Sequence, residues 1–316
     1  MKSVTLAQWR EEVLALYEPP LRAPLTFAAM RTMLGHMETI GVETTADLKP
    51  VVVARYIKLL EANGCNGNTI RGRLAYLSAA CSYALFAGYL ESSPFKFRGP
   101  AAWVRKVPKL RTKPHSIDTI AKVLTHLRDN AGTWKGGRLY TLACLYAYCG
   151  LRRNEALRLK VEDVDLVARI VTIDARTRLK TEASAAPVPI PPALAIVLED
   201  WIGRVGSEWL IPGNKLRGPW LGGMLGDRAG EHLKRAAMGI GVNGFTPLSL
   251  RHSLATHAEI FGLSAMMLRR VLRHSTEFTS GHYRHADLTN MSRAVDAIDF
   301  GVQTPKREEE DNAKSA

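Results

Sequence analysis

Two arginines, two histidines and a tyrosine between positions 152 and 283 of this 316-residue chain have types and spacing suited to chemistry on a phosphate diester. Arg152 follows Gly150-Leu151, Arg251 and His252 open a helix-like run, His274 lies in Leu272-Arg273-His274-Ser275, and Tyr283 stands nine residues beyond His274. Cleaving a phosphodiester without a metal requires positive charge on the non-bridging oxygens, a nucleophile aligned in line, and an acid for the departing oxygen. Guanidinium groups suit the first task, because their planar donor pairs match phosphate and stay charged at neutral pH. A phenol with a pKa of about 10 is a poor nucleophile unless neighbouring positive charge favours its ionised form. Taken together, these residues read as a phosphate site with a tyrosine nucleophile, which is strand-exchange chemistry. Taken singly, Arg152 is more often a surface arginine and Tyr283 a half-buried packing residue.

The elements that must hold these residues are mostly helices. Apolar residues recur at three- and four-residue intervals over Leu6 to Tyr17, Phe27 to Gly41, Val51 to Asn63 and Asn68 to Gly88, with breaks at Pro19-Pro20, Thr44-Thr45 and Asn63-Gly64. This predicts a compact helical unit. Its last helix carries Arg71 and Arg73, which suit either a solvated face or a phosphate contact. Beyond residue 115, helices are expected at Ile117 to Arg128 and Gly137 to Tyr148, the latter nearly all apolar, buried, and ended by Gly150. Helical periodicity restarts over Asn154 to Lys160. Val164 to Ile173 and Ala186 to Ile190 have the β-branched character of a small antiparallel sheet. Further helices are expected at Pro192 to Gly203, Leu225 to Met238, Ser249 to Phe261, Ser264 to Leu272, Ser280 to His285 and Leu288 to Ile298. The polar tail from Gln303 to Ala316 is expected to be disordered or to fold only on a partner.

Charge narrows the partner. Lys and Arg number 43 against 30 Asp and Glu, a formal +13, which attracts a polyanion and makes nucleic acid the leading candidate. Seven of these charges, Lys96, Arg98, Arg105, Lys106, Lys109, Arg111 and Lys113, fall between Ser92 and Pro114 with no acidic residue, among four prolines that forbid a continuous helix. That stretch reads as a basic interdomain linker, and a like-charged tether favours contact with DNA. The length suits two domains, since single cores rarely exceed about 250–300 residues. Cys65, Cys81, Cys144 and Cys149 show no metal-ligand spacing and sit in apolar surroundings, as reduced core residues do. No apolar run approaches the roughly 20 residues of a membrane helix, and no signal-peptide core opens the chain, so a soluble cytoplasmic protein is expected. The Gly136-Gly137 and Gly222-Gly223 pairs lack the lysine and strand context of a nucleotide loop, which disfavours a nucleotide-driven motor.

Three segments now add a resemblance. Tyr148-Cys149-Gly150-Leu151-Arg152-Arg153-Asn154-Glu155-Ala156-Leu157-Arg158-Leu159 with Asp163-Val164-Asp165, then Thr246-Pro247-Leu248-Ser249-Leu250-Arg251-His252-Ser253-Leu254-Ala255-Thr256-His257, then Leu272-Arg273-His274-Ser275 through Tyr283, resemble in order the catalytic boxes of the tyrosine recombinase (phage integrase) family, in its two-domain, Xer-like form. The likeness covers roughly residues 115 to 300, and the helical first third is similar to the family's core-binding domain.

The resemblance implies a mainly α fold with a small antiparallel sheet in the C-terminal domain, two domains closing on duplex DNA as a clamp. It divides the chain into a core-binding domain (1–91), a linker (92–114), a catalytic domain (115–301) and a tail (302–316). It implies that Tyr283 attacks the scissile phosphate to leave a 3′-phosphotyrosyl bond, that Arg152 and Arg251 clamp the phosphate, and that His274 bonds one of its oxygens. Lys180, matched through Lys180-Thr181 and Val188-Pro189-Ile190-Pro191, would be the acid to the leaving 5′-oxygen, with Arg178 as a nearby competitor and an ordinary loop lysine as the plain alternative. Glu155 and His252 would support the site. No cofactor or metal is implied, and the expected partners are double-stranded DNA and further copies of the chain, as a tetramer on DNA. Leu248 departs from the family, which usually has histidine there, so an impaired DNA-binding relative stays open beside an active recombinase and a type IB-like topoisomerase. The apolar face of the last helix, with Met291, Ala294, Val295 and Ile298, suits docking on a neighbouring protomer or on its own domain.

Overall fold

The computed structural model describes residues 3–96, 98–104, 113–173, 187–214, 218–220, 228–273 and 285–302. The chain divides into two compact units, Met1–Leu110 and Arg111–Ala316.

The first unit is built from α1 (Leu6–Ala15), α2 (Pro24–Thr39), α3 (Pro50–Ala62) and α4 (Gly67–Phe86). Local chemistry starts each helix. Thr5 and Asn66 cap α1 and α4 by accepting from the N–H groups of Gln8 and Thr69, and Pro24 and Pro50 occupy first-turn positions where no N–H is needed. The apolar stripes converge on one core, in which Trp9, Met33, Met37, Tyr56, Leu74 and Leu77 are buried. Each such side chain contributes about 1.5–3 kcal/mol by leaving water. The indole N–H of Trp9 is satisfied by the Ala80 carbonyl at 3.3 Å, which ties α1 to α4.

The second unit is organised around α6 (Trp134–Cys149), buried along most of its length, as its apolar composition predicts. Against it pack α5 (Ile117–Asp129), α8 (Pro192–Val205) and α10 (Pro247–His257). Gly150 ends α6 in a left-handed conformation with φ of 55°, and a Cβ there would meet the Leu272 and Leu254 side chains at 2.6 and 3.0 Å. Backbone geometry and lack of space both require glycine.

After α6 come α7 (Arg153–Leu157) and a three-stranded antiparallel sheet, β1 (Val164–Asp165), β2 (Ile170–Thr172) and β3 (Pro187–Pro189), in that order. The stretch Val164 to Ile173 is thus a tight hairpin. β3 lies at the sheet edge, which accommodates Pro187 and Pro189, residues with no N–H to donate. The remaining helices are α9 (Arg228–Met238), α11 (Ala265–Val271) and α12 (His285–Asp296). The expected helix Ser280 to His285 and the tail from Gln303 lie outside the described residues, apart from His285 at the start of α12.

The last helix docks on its own unit. Met291, Val295 and Ile298 are at most 1% exposed, within the same core as α6, and Asp296 pairs with both terminal nitrogens of Arg169 at 2.6 and 3.0 Å. Of the two dockings the sequence allows for this face, the structure has the one within the unit. All four cysteines are free, with Cys81, Cys144 and Cys149 buried. Among the described residues no helix is long and apolar enough to cross a membrane.

Candidate active site

The site is assembled where α6 ends, α7 and α10 begin, and α11 gives way to Leu272-Arg273. Arg152 is the residue before the first turn of α7. A guanidinium cannot accept a hydrogen bond, so Glu155, three residues on, caps the helix by accepting the Arg152 N–H at 2.7 Å on Oε2. The other carboxylate oxygen accepts from Arg152 Nη1 at 2.9 Å. Arg152 Nη2 donates to the Arg273 carbonyl at 3.1 Å, and the side chain keeps 37% of its surface open to solvent.

Arg251 reaches the same point from α10. Thr246 starts that helix by accepting from Ser249 N–H at 3.1 Å, while Ser249 Oγ accepts from Thr246 N–H at 2.8 Å. Farther along, Ser253 Oγ accepts from His115 N–H at 2.8 Å and the His257 ring bonds the His115 carbonyl at 2.7 Å, which fixes α10 against the start of α5. So held, the buried Arg251 donates from Nη1 to the Gly150 carbonyl and from Nη2 to the Leu272 carbonyl. Arg152 and Arg251 therefore hang from consecutive carbonyls, those of Arg273 and Leu272, although they are far apart in sequence. Among the described residues these bonds engage two of the five guanidinium donors of Arg251.

A third guanidinium joins them. Arg273, fully buried, donates from Nη2 to Glu155 Oε2 at 2.6 Å. Burial alone would push the Glu155 carboxyl up; the Arg273 charge, and then the hydrogen bonds and charge of Arg152, outweigh it and hold the carboxyl below its ordinary range. Burial pushes Arg251 down to about 10, with the charges of Arg152 and Arg273 acting in the same direction. It remains a cation at neutral pH. Among the described residues, three positive groups surround one carboxylate, an arrangement with positive charge left over for an anion.

Arg273 was absent from the sequence-derived candidates. The signal was an arginine inside the apolar run Val271-Leu272 directly before His274, but its burial and its partner, 118 residues away, are tertiary facts. Leu248 lies on the first turn of α10 with 54% of its surface exposed, and His252, one turn on, is exposed too. Lys180, Arg178, His274 and Tyr283 lie outside the described residues.

In the first unit Arg71 and Arg73 are half-buried and bonded within it: Arg71 to the carbonyls of Ala101 and Val104, Arg73 to that of Ala29 at 3.1 Å. Arg98 lies over the Trp103 ring at 5.9 Å, and Lys96 and Lys113 are exposed. Arg105, Lys106, Lys109 and Arg111 lie outside the described residues. Among the described residues no group of His, Cys, Asp or Glu has the arrangement of a metal site.

The phage integrase family model matches residues 112–289, more than half of the chain. The chain belongs to the phage integrase family. Site-specific recombination of DNA is the general activity of that family. Among similar proteins, the tyrosine recombinase XerC of Xanthomonas campestris pv. campestris (strain B100) is 24% identical over 278 residues, covering 85% of this chain and 79% of that protein. The tyrosine recombinase XerA of Thermococcus onnurineus (strain NA1) is 27% identical over 264 residues, 80% of this chain and 83% of the relative. The fold is similar to that of the Tn1549 transposon integrase in complex with a circular intermediate DNA, with a TM-score of 0.68 at 15% identity over 92% of this chain and 99% of the other. The mainly helical architecture with its small antiparallel sheet is thus the integrase catalytic fold.

Proposed function

We propose that this family member is a site-specific recombinase that cuts and rejoins duplex DNA through a 3′-phosphotyrosyl intermediate on Tyr283. The observation that carries the reading is the pairing of Arg152 and Arg251 on consecutive carbonyls beside a carboxylate that neutralises only part of their charge. Such a pair grips the two non-bridging oxygens of a phosphate and stabilises the charge that builds on them during attack. Tyr283 gives up its phenolic proton to solvent, its oxygen bonds to phosphorus, the bond to the 5′-oxygen breaks, and Lys180 supplies the proton that oxygen needs to leave as a hydroxyl. His274, directly after the carbonyl that holds Arg152, bonds a phosphate oxygen. Religation is the reverse, with a 5′-hydroxyl from the exchanging strand attacking the phosphotyrosine. One phosphodiester replaces another of similar energy, so the exchange requires no nucleotide hydrolysis.

The partner in this reading is double-stranded DNA, contacted by Arg71, Arg73 and the basic residues of 92–114. Relatives support it: the lambda integrase structure that this fold matches with a TM-score of 0.64 is a dimer bound to a core site. Assembly of four copies on DNA belongs to the proposal. Residues 1–91 serve as the core-binding domain, 92–114 as the linker and 115–301 as the catalytic domain.

Leu248 supports a second reading, a DNA-binding relative with cleavage disabled, because an exposed leucine stands where the family usually has a hydrogen-bonding group and loss of one such group costs roughly 10²- to 10⁴-fold. A nicked duplex carrying the chain's own footprinted site separates them. The wild-type chain is expected to become covalently attached to DNA and the Tyr283→Phe variant to bind without attachment; duplex binding with no attachment by the wild type selects the second reading.

A further inference from the structure

Arg273 is the outlier of this site. It has a left-handed backbone, φ of 52°, which is uncommon for any residue but glycine and persists only where surroundings enforce it. Its side chain is 0% exposed, so it cannot touch DNA. What enforces the conformation is visible in its bonds. Nη2 donates to Glu155 Oε2 at 2.6 Å, Nη1 to the Val271 carbonyl at 3.0 Å, and its own carbonyl accepts from Arg152 Nη2 at 3.1 Å. Arg152, Glu155 and Arg273 therefore close a ring, Arg152 to carboxylate, carboxylate to Arg273, Arg273 back to Arg152.

We propose that Arg273 is a positioning residue of the phosphate site: by holding Glu155 as a carboxylate from behind, it orients Arg152 and leaves that guanidinium with charge to offer the phosphate. The inference rests on the recombinase reading above and goes beyond it by assigning a residue that never meets substrate. The reason is charge balance. With Arg273 present, Oε2 is shared between that guanidinium and the Arg152 N–H, so a single negative charge faces three arginines, Arg152, Arg251 and Arg273. Without it, the same carboxylate lies against Arg152 and Arg251 alone and cancels more of their charge. Burial, opposed by less positive charge, also favours its protonation, and a protonated carboxyl no longer holds Arg152 as an acceptor on both oxygens. Among the described residues, Cys149 at the end of α6 is the remaining titratable group interacting with Arg273, and burial keeps its thiol neutral by pushing its pKa up to about 12.

Arg273→Gly tests this without backbone strain, since glycine adopts positive φ freely. On the nicked duplex, covalent attachment is expected to slow roughly 10- to 100-fold, the range seen when an outer partner that orients a functional ligand is removed. Duplex affinity is expected to change little, and the acid limb of the attachment rate to move to higher pH. Arg273→Lys is expected to recover part of the rate, and Arg273→Gly added to Glu155→Gln to cost nothing further. Equal losses in affinity and rate, an unmoved pH profile, or a lysine variant as slow as the glycine variant would overturn the assignment. A wild-type chain that binds without attachment defeats the recombinase reading instead, and the NMR titration of the Glu155 carboxyl then decides: a rise in its pKa in Arg273→Gly supports the positioning role, and no change overturns it. If the glycine variant does not fold, Arg273→Lys carries the comparison: its Glu155 carboxyl is expected to titrate above the wild-type value and its attachment rate to fall between those of wild type and Glu155→Gln, and values equal to wild type in both overturn the assignment.

Discussion

Arg138 and Arg251 are both buried arginines of the second unit, both are bonded to backbone carbonyls, and burial lowers both to about 10. Their surroundings differ. Arg138, on α6, lies between the rings of Trp220 and Trp134, 3.7 and 4.8 Å from their centroids, and donates to the Pro212 carbonyl at 2.7 Å and to Asn214 Oδ1 at 3.1 Å. Among the described residues it is a cation packed into a neutral shell, and it ties Pro212, Asn214 and Trp220 to α6. Arg251 instead faces Arg152 and Arg273, so its charge is opposed by like charges and matched by one carboxylate. Burial of an arginine is therefore no mark of a site. Convergence of several on too little negative charge is, because only that arrangement gains from an added anion.

The comparison breaks first at its ends. Arg251→Met is expected to slow covalent attachment to a nicked duplex by roughly 10²- to 10³-fold, the loss typical of one transition-state donor. Arg138→Met is expected to cost about 2 kcal/mol in denaturant unfolding, because the Pro212 carbonyl and Asn214 Oδ1 lose their donor and the two indole rings their cation, with the attachment rate per folded molecule unchanged. Comparable slowing in both variants would show that burial, not clustering, sets the function.

Leu248→His restores a donor to the exposed first turn of α10 and is expected to raise the attachment rate about tenfold, below the full worth of a group whose surroundings have been built around it. An unchanged rate would place that turn away from the reaction.

The smallest effect separates the two arginine regions by pH. Glu155 is held below its ordinary range in the folded chain, so its contribution to stability is fully present above the unfolded carboxyl value of about 4.3 and is lost as pH falls through that value toward the lower folded one. Wild-type melting temperature is expected to drop below about pH 4 more than that of Glu155→Gln. Among the described residues the Arg138 shell contains no carboxylate, and Arg138→Met is expected to leave that difference intact.

Much of this was legible in the residues. Helical periodicity located the four helices of the first unit, Gly150 marked the end of α6, and the first two boxes named Arg152, Glu155 and Arg251, which the fold indeed gathers at one point. Periodicity was less informative where local signals were mixed: α10 stops at His257 rather than Phe261, and Asn154 to Lys160 is a five-residue helix, Arg153–Leu157, that ends before Lys160. The docking of α12 was open in the sequence because an apolar stripe specifies burial but not against what.

By itself the sequence determined the family, the helical class and the chemistry on offer, since residue type, order and 3.6-residue spacing are properties of the chain alone. Only the tertiary structure decided which arginine serves which purpose. Arg273 and Glu155 stand 118 residues apart, and Arg251 and the Gly150 carbonyl 101. Whether a guanidinium meets a carboxylate, a tryptophan ring or an open face depends on which distant elements share a core, and the electrostatic strength of each contact follows from that burial.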